Sequence, residues 1–206
     1  MRTITPKPFN VYKIEDLSGK ALERACNEIR ETNASEFWRD DICQDAKDKL
    51  EQMGFVDPQI YYDCSYSQGS GACFIARDMY KLNKFFAAIK KKFTKRQWKV
   101  LQKINKAGMD IKLTLHHHGH DHHEFSVTRS LDINDLGMER FVAGKNVVDY
   151  TSEIEDVIND WCVDFSRSIY KKLCETIEYF WNTQNCKKYA EENELEFTED
   201  GSIFVE

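Results

Sequence analysis

At 206 residues, with 41% hydrophobic and 13% aromatic side chains, the chain is long enough to close a sizeable core and is expected to do so as one domain over residues 1–206. No apolar run approaches the roughly 20 residues that cross a bilayer, and the start mixes Arg2, Lys7, Lys13 and Glu15 without a signal-peptide core, so no membrane partner is expected and the expected compartment is the cytoplasm. The net charge of −6 hides an uneven distribution: residues 77–106 hold eleven Lys and Arg against the single acid Asp78, which makes that stretch +10 and the remainder −16.

An extended start, Val11-Tyr12-Lys13-Ile14, leads to Ser18, which can N-cap a helix whose apolar residues Leu22, Ala25, Cys26 and Ile29 follow helical spacing. Asn33 or Ser35 interrupts it. A second helix is predicted from about Phe37 to Met53, with Trp38, Ile42, Ala46, Leu50 and Met53 on one face and Gly54 placed as the left-handed residue that ends it. Residues 59–66 and 72–76, rich in Tyr, Ile, Phe and Cys, flank Ser67-Gln68-Gly69-Ser70-Gly71 and read as two strands joined by a glycine-rich turn. The basic stretch follows as helix broken near Thr94. Residues 111–116 and 122–129 then make a second hairpin about Gly119, its returning arm alternating through His123, Phe125 and Val127.

Ser152 and Glu155 form a Ser-x-x-Glu capping box, behind which Ile154, Ile158, Trp161, Phe165, Ile169, Leu173, Ile177 and Phe180 keep an apolar stripe over many turns. At the end, residues 195–198 and 203–205 surround Glu199-Asp200-Gly201, a tight hairpin turn. The predicted architecture is α+β: a small, mainly antiparallel sheet of hairpins packed against several helices, one of them long and C-terminal. Cys26, Cys43, Cys64, Cys73, Cys162, Cys174 and Cys186 are scattered and contain no Cys-x-x-Cys pair, so reduced and mostly buried thiols are expected rather than a disulfide framework or a zinc ribbon.

Four stretches carry a family resemblance: Ile14-Glu15-Asp16-Leu17-Ser18-Gly19-Lys20-Ala21, Tyr62-Asp63-Cys64-Ser65-Tyr66-Ser67-Gln68-Gly69-Ser70-Gly71-Ala72-Cys73-Phe74, Gly119-His120-Asp121-His122-His123-Glu124 and Phe197-Thr198-Glu199-Asp200-Gly201. They are similar in turn to the helix start ϕ-x-x-L-S-x-x-A, the hairpin Y-S-G-F-W-S-Q-G-D-G-A-x-F, the segment G-H-x-x-H-E and the end F-T-x-D-G of a family of phage, prophage and plasmid proteins often labelled as antitoxins of a toxin–antitoxin stability system. The chain resembles that family over nearly its whole length. Ser65-Tyr66 stand here where the motif has Phe-Trp, and Ser70 stands where it has Asp. The resemblance implies a phage-type accessory protein of the host cytoplasm, acting by binding a host, defence-system or toxin component in the manner of an antitoxin or anti-defence protein.

The candidate sites follow from the residues themselves. All six histidines, His116, His117, His118, His120, His122 and His123, fall within eight residues, beside Asp121 and Glu124. On hairpin geometry His116 shares a face with His118, and His122 with Glu124, so three imidazoles, or two and a carboxylate, could meet Zn²⁺ or another divalent transition metal. His116, His118, His120, His123 and Glu124 are the candidate ligands, and a metal-dependent hydrolase or nuclease built on residues 116–124 is the alternative to a binding function. The plainer reading is a histidine-rich tip that chelates metal without using it.

Tyr66, Ser67, Gln68, Gly69, Ser70 and Gly71 form the candidate binding loop, whose backbone N–H groups could cradle a phosphate or carboxylate, including that of a nucleotide. It matches neither the P-loop nor the dinucleotide fingerprint, and the structural alternative is a turn whose glycines supply positive φ. Cys64 or Cys73 beside the histidines would make a Cys–His pair, set against buried structural cysteine. Lys91, Lys92, Lys95, Arg96 and Lys99, interleaved with Phe93 and Trp98, suit a nucleic acid or an acidic partner, or else a solvated helix face. A host or phage protein is the expected partner, with nucleic acid and nucleotide as the other candidates.

Overall fold

The computed structural model describes residues 10–33, 37–80, 82–106, 111–133 and 147–205. Among them the order is a 3₁₀ turn (Ile14–Asp16), α1 (Gly19–Asn33), α2 (Phe37–Gln52), β1 (Gln59–Asp63), β2 (Gly71–Ile75), α3 (Asn83–Ala88), a second 3₁₀ turn (Lys90–Lys92), α4 (Lys95–Lys106), β3 (Ile111–His117), β4 (Val127–Ile133), α5 (Val147–Trp181) and α6 (Thr183–Glu192). The fold is α+β, with two separate antiparallel hairpins, β1-β2 and β3-β4, and a long helix in the C-terminal third. Its contacts divide the chain into two units, Met1–Asp40 with Cys174–Glu206, and Asp41–Leu173. No helix among the described residues is long and apolar enough to cross a membrane.

In the first unit α1 starts directly after Ser18, whose carbonyl accepts the Leu22 N–H at 3.4 Å. It ends at Asn33; Ser35, the other predicted interruption, lies outside the described residues. The helix buries Ala25, Cys26 and Ile29 against Ile14, Leu17, Cys186, Ala190 and Phe197. Arg30 reaches the last carbonyls of α5, donating to Phe180 O at 3.3 Å and Trp181 O at 2.9 Å, where a cation also meets the negative end of the helix dipole. α6 opens on Asn182, whose side chain accepts the Gln184 N–H at 2.9 Å.

The terminal hairpin forms as its Asp-Gly signal predicts. Gly201 has φ 90°, its N–H donates to Thr198 O at 2.9 Å, and Thr198 N–H donates to Ser202 O at 2.9 Å. Phe197, fully buried, bridges both Ile203 and Tyr12, so the extended start and the chain end share one small ladder.

In the second unit the core gathers Leu50, Phe55, Phe74, Phe85, Leu101, Leu113, Ile154, Ile158 and Cys162. Aromatic edges meet aromatic faces there: Phe55 lies 5.1 Å from Phe85 and 5.7 Å from Phe74, and Phe85 lies 5.0 Å from Trp161. α2 stops as expected at Gly54 (φ 96°), with Gly54 N–H on Glu51 O at 2.9 Å and Phe55 N–H on Leu50 O at 3.0 Å, the paired bonds of a Schellman motif.

The predicted break near Thr94 is present, and its cause is a capping box. Thr94 N–H donates to Gln97 Oε1 at 2.8 Å while Gln97 N–H donates to Thr94 Oγ1 at 3.2 Å. The box read at Ser152 and Glu155 is not a helix start, because α5 already runs from Val147. The Glu155 carboxylate instead accepts the Leu131 N–H at 3.3 Å.

Candidate functional site

β1 and β2 pair from Gln59↔Ile75 to Asp63↔Gly71, so the strand read as reaching Tyr66 ends at Asp63. The chain then turns through Gln68 and Gly69, with Ser70 N–H on Ser67 O at 3.1 Å. The positive φ expected of Gly69 and Gly71 falls on neither; it falls on Tyr66, at φ 58°. A side chain in this region costs about 1–2 kcal/mol and persists only where the surroundings hold it.

The hold here is the Asp63 carboxylate. It accepts Ser65 N–H at 2.9 Å and the hydroxyls of Ser65, Ser70 and Ser67 at 2.8, 3.2 and 3.4 Å. Ser70 Oγ in turn accepts Ser67 N–H at 2.8 Å. These bonds, those from Ser65 foremost, hold the Asp63 carboxyl below its usual range. The network is therefore complete above the ordinary carboxylate pKa and weakens as pH falls through the depressed one. Its effect is to fix the loop while leaving Gln68 exposed and Tyr66 64% exposed.

The second hairpin differs from its expected register. β4 starts at Val127, paired with His117, and runs to Ile133. His122, His123 and Glu124 consequently sit in a loop, not on a returning arm, and the face shared by His122 and Glu124 does not exist. The loop is closed by His118 N–H on Ser126 O at 2.9 Å and Ser126 N–H on His123 O at 3.0 Å. His123 Nδ1 accepts the Phe125 N–H at 3.1 Å, which places that ring's proton on Nε2. His117 Nε2 lies 3.0 Å from Asp121 O and, facing a carbonyl, is the donor. Glu124 is claimed by Arg167, Nε to Oε1 at 2.8 Å, and its carbonyl by Arg129 at 2.5 Å.

The two loops meet. Tyr61 of β1 stacks on His117 at 4.7 Å and on His122 at 6.0 Å, with interplanar angles of 15° and 24°. His122 N–H donates to Gly69 O at 3.3 Å. A Cβ on Gly69 would strike the Asp121 carboxylate, and one on Gly71 would lie 2.5 Å from His123 Cα. Gly71 is needed for the close approach of the two loops, backbone against backbone at His123, whereas Gly69 faces the Asp121 side chain.

This arrangement engages two of the five proposed metal ligands. His116, His118 and His120 are exposed, His123 Nδ1 and Glu124 are engaged within the protein, and among the described residues no three His, Cys, Asp or Glu side chains are grouped to hold an ion. Exposed imidazoles still bind transition metals loosely. Chelator dialysis should leave the melting temperature where it was; a large fall, of the kind structural zinc domains give, would show a built site.

The seven cysteines are free thiols, five of them buried. Burial pushes the Cys73 thiol up to about 11, so it carries no thiolate at neutral pH and cannot serve the Cys–His pairing considered for it. Lys91, Lys95, Arg96 and Lys99 are exposed along the second 3₁₀ turn and α4, and Lys92 pairs with Asp164 at 3.0 Å.

The sequence model of the family described as Domain of unknown function (DUF8835) matches residues 38–183, well over half of the chain. The chain belongs to the DUF8835 family. No curated protein and no solved structure matches it. The matched span of this DUF8835 member contains both loops, the Tyr61 stack and the basic helix. Asp63, Tyr61, Asp121 and Arg167 were not singled out in the sequence. The signal for Asp63 was present: an acid on the last strand position facing three loop serines reads as a turn-fixing carboxylate.

Proposed function

We propose that this DUF8835 protein is a non-enzymatic, phage-type accessory protein of antitoxin or anti-defence kind. Its recognition surface is the joined pair of loops at residues 64–70 and 118–126, and its partner is a host or phage protein in the host cytoplasm. The observation that supports this is the meeting of the loops: two hairpin tips are held together through Gly69 and Gly71 and a three-ring stack, which makes one preformed surface from two turns. A turn needed only to reverse the chain requires none of this.

The surface also has the composition of a protein contact. Tyr66 and Phe125 are 64% and 60% exposed, and aromatic side chains are enriched where proteins bind one another. Tyr66 sits in a strained conformation, which is tolerated where it positions a side chain for use.

The test is affinity capture from host cells, wild type against a Tyr66→Ala, Gln68→Ala variant, with the captured protein then purified for titration. The variant should fold with stability within about 1 kcal/mol of the parent. It should bind the partner at least about 30-fold more weakly, the loss of one interface hot spot. Equal capture and equal affinity would end the proposal.

A further inference from the structure

We propose that the outer face of α4 binds the phosphate backbone of a nucleic acid without reading its base sequence. α4 is sharply two-faced. Gln97, Leu101 and Ile104 are buried, whereas Lys95, Lys99 and Lys103, spaced one turn apart, are exposed. Four residues at 1.5 Å rise set these cations about 6 Å apart along a straight rod. Lys91, in the turn just before the helix, is exposed as well.

Three observations point to a polyanion as the occupant. First, the spacing is unfavourable for the protein alone. Opposite charges four apart attract, as Arg24 with Glu28 at 3.5 Å and Lys188 with Glu192 at 3.6 Å do, but on α4 lysine follows lysine, and like charges at this spacing repel. Second, the charge is left uncompensated: among the described residues Lys92 is paired with Asp164, while Lys95, Lys99 and Lys103 have no carboxylate within ion-pair distance.

Third, the face lacks what a protein partner would need. The exposed large hydrophobics among the described residues include none between positions 82 and 106, so no apolar centre of a protein–protein contact is present there. Lys90, exposed and held over the half-buried Trp98 ring at 5.1 Å, adds a further cation just before the helix. The surface therefore differs in chemistry from the loop pair, and this inference does not rest on the proposed function.

The experiment is fluorescence anisotropy on the full chain with labelled mixed-sequence oligonucleotides in separate arms of duplex DNA, single-stranded DNA and RNA, with polyglutamate as the acidic-protein probe. Three lysine–phosphate contacts predict a log–log salt slope of about −3 on duplex, or roughly 40-fold weaker binding between about 50 and 200 mM salt. The Lys95→Glu, Lys99→Glu, Lys103→Glu variant should lose at least about tenfold in affinity for every oligonucleotide it meets and flatten the slope by about 3. If circular dichroism shows that variant misfolded, Lys95→Gln, Lys99→Gln, Lys103→Gln gives the same readout without charge reversal. Binding to none of the three oligonucleotides at low salt, an unchanged slope in the folded variant, or polyglutamate bound as tightly as nucleic acid would each overturn the inference.

Discussion

A Gly201→Ala chain should lose most of the stability of the unit that holds α1, α6 and the terminal hairpin. Two costs coincide at this position. The backbone φ of 90° lies where an L side chain is strained by about 1–2 kcal/mol. The added methyl would also run into the Ala21 carbonyl, with Ala21 Cα only 3.0 Å away, and that obstacle is helix backbone rather than a side chain that can swing aside. Overpacking against a fixed neighbour adds roughly 1–3 kcal/mol, so the total is about 2–5 kcal/mol.

The turn cannot relax cheaply, because its arms are tied on both sides. Phe197 pairs with Tyr12 and Ile203, and Asp200 accepts from Arg24 at 2.6 Å. Urea unfolding should show the lowered midpoint, and hydrogen exchange should show α1 and α6 deprotected. A variant that melts within a degree or two of the parent would mean that the turn can find another conformation.

Local signals carried the helices well. Gly54, Asp200-Gly201 and the Ser18 start act within one turn of chain, and each appears where the residues put it. What failed involved a local pattern imitating another. His123, Phe125 and Val127 alternate as a strand does, yet His123 folds its own ring back to accept the Phe125 N–H and closes a turn, so the strand begins only at Val127. Val147 and Val148 are poor helix formers, which hid the first turn of α5 behind the better signal at Ser152.

The loop glycines failed for a different reason: their role depends on a second hairpin far along the chain, and no local pattern reports it. The loop has its carboxylate on the β1 side of the turn, where Ser70 Oγ donates to Asp63 Oδ2 at 3.2 Å across the hairpin.

The second large effect is expected at Gly71, and its neighbour Gly69 supplies the control. A Cβ at Gly71 would lie 2.5 Å from His123 Cα and 3.2 Å from its N, so the obstacle is the backbone of the other loop, which can yield only by moving away as a whole. That movement would part His122 N–H from Gly69 O and open the Tyr61, His117 and His122 stack. Gly71→Ala should therefore cost about 2–4 kcal/mol, the range of overpacking plus a lost buried contact, and should abolish partner capture. At Gly69 the added methyl meets the carboxylate of Asp121, an exposed side chain that can rotate into solvent. Gly69→Ala should cost less than about 1 kcal/mol and keep the stack. Ring resonances of His117 and His122, followed by NMR in both variants, separate the cases: shifted in Gly71→Ala and retained in Gly69→Ala if the loops are locked through their backbones. A Gly71→Ala chain with parental stability, unmoved histidine resonances and full capture would show that the two loops do not depend on each other, and the joined surface would then not be the site of recognition.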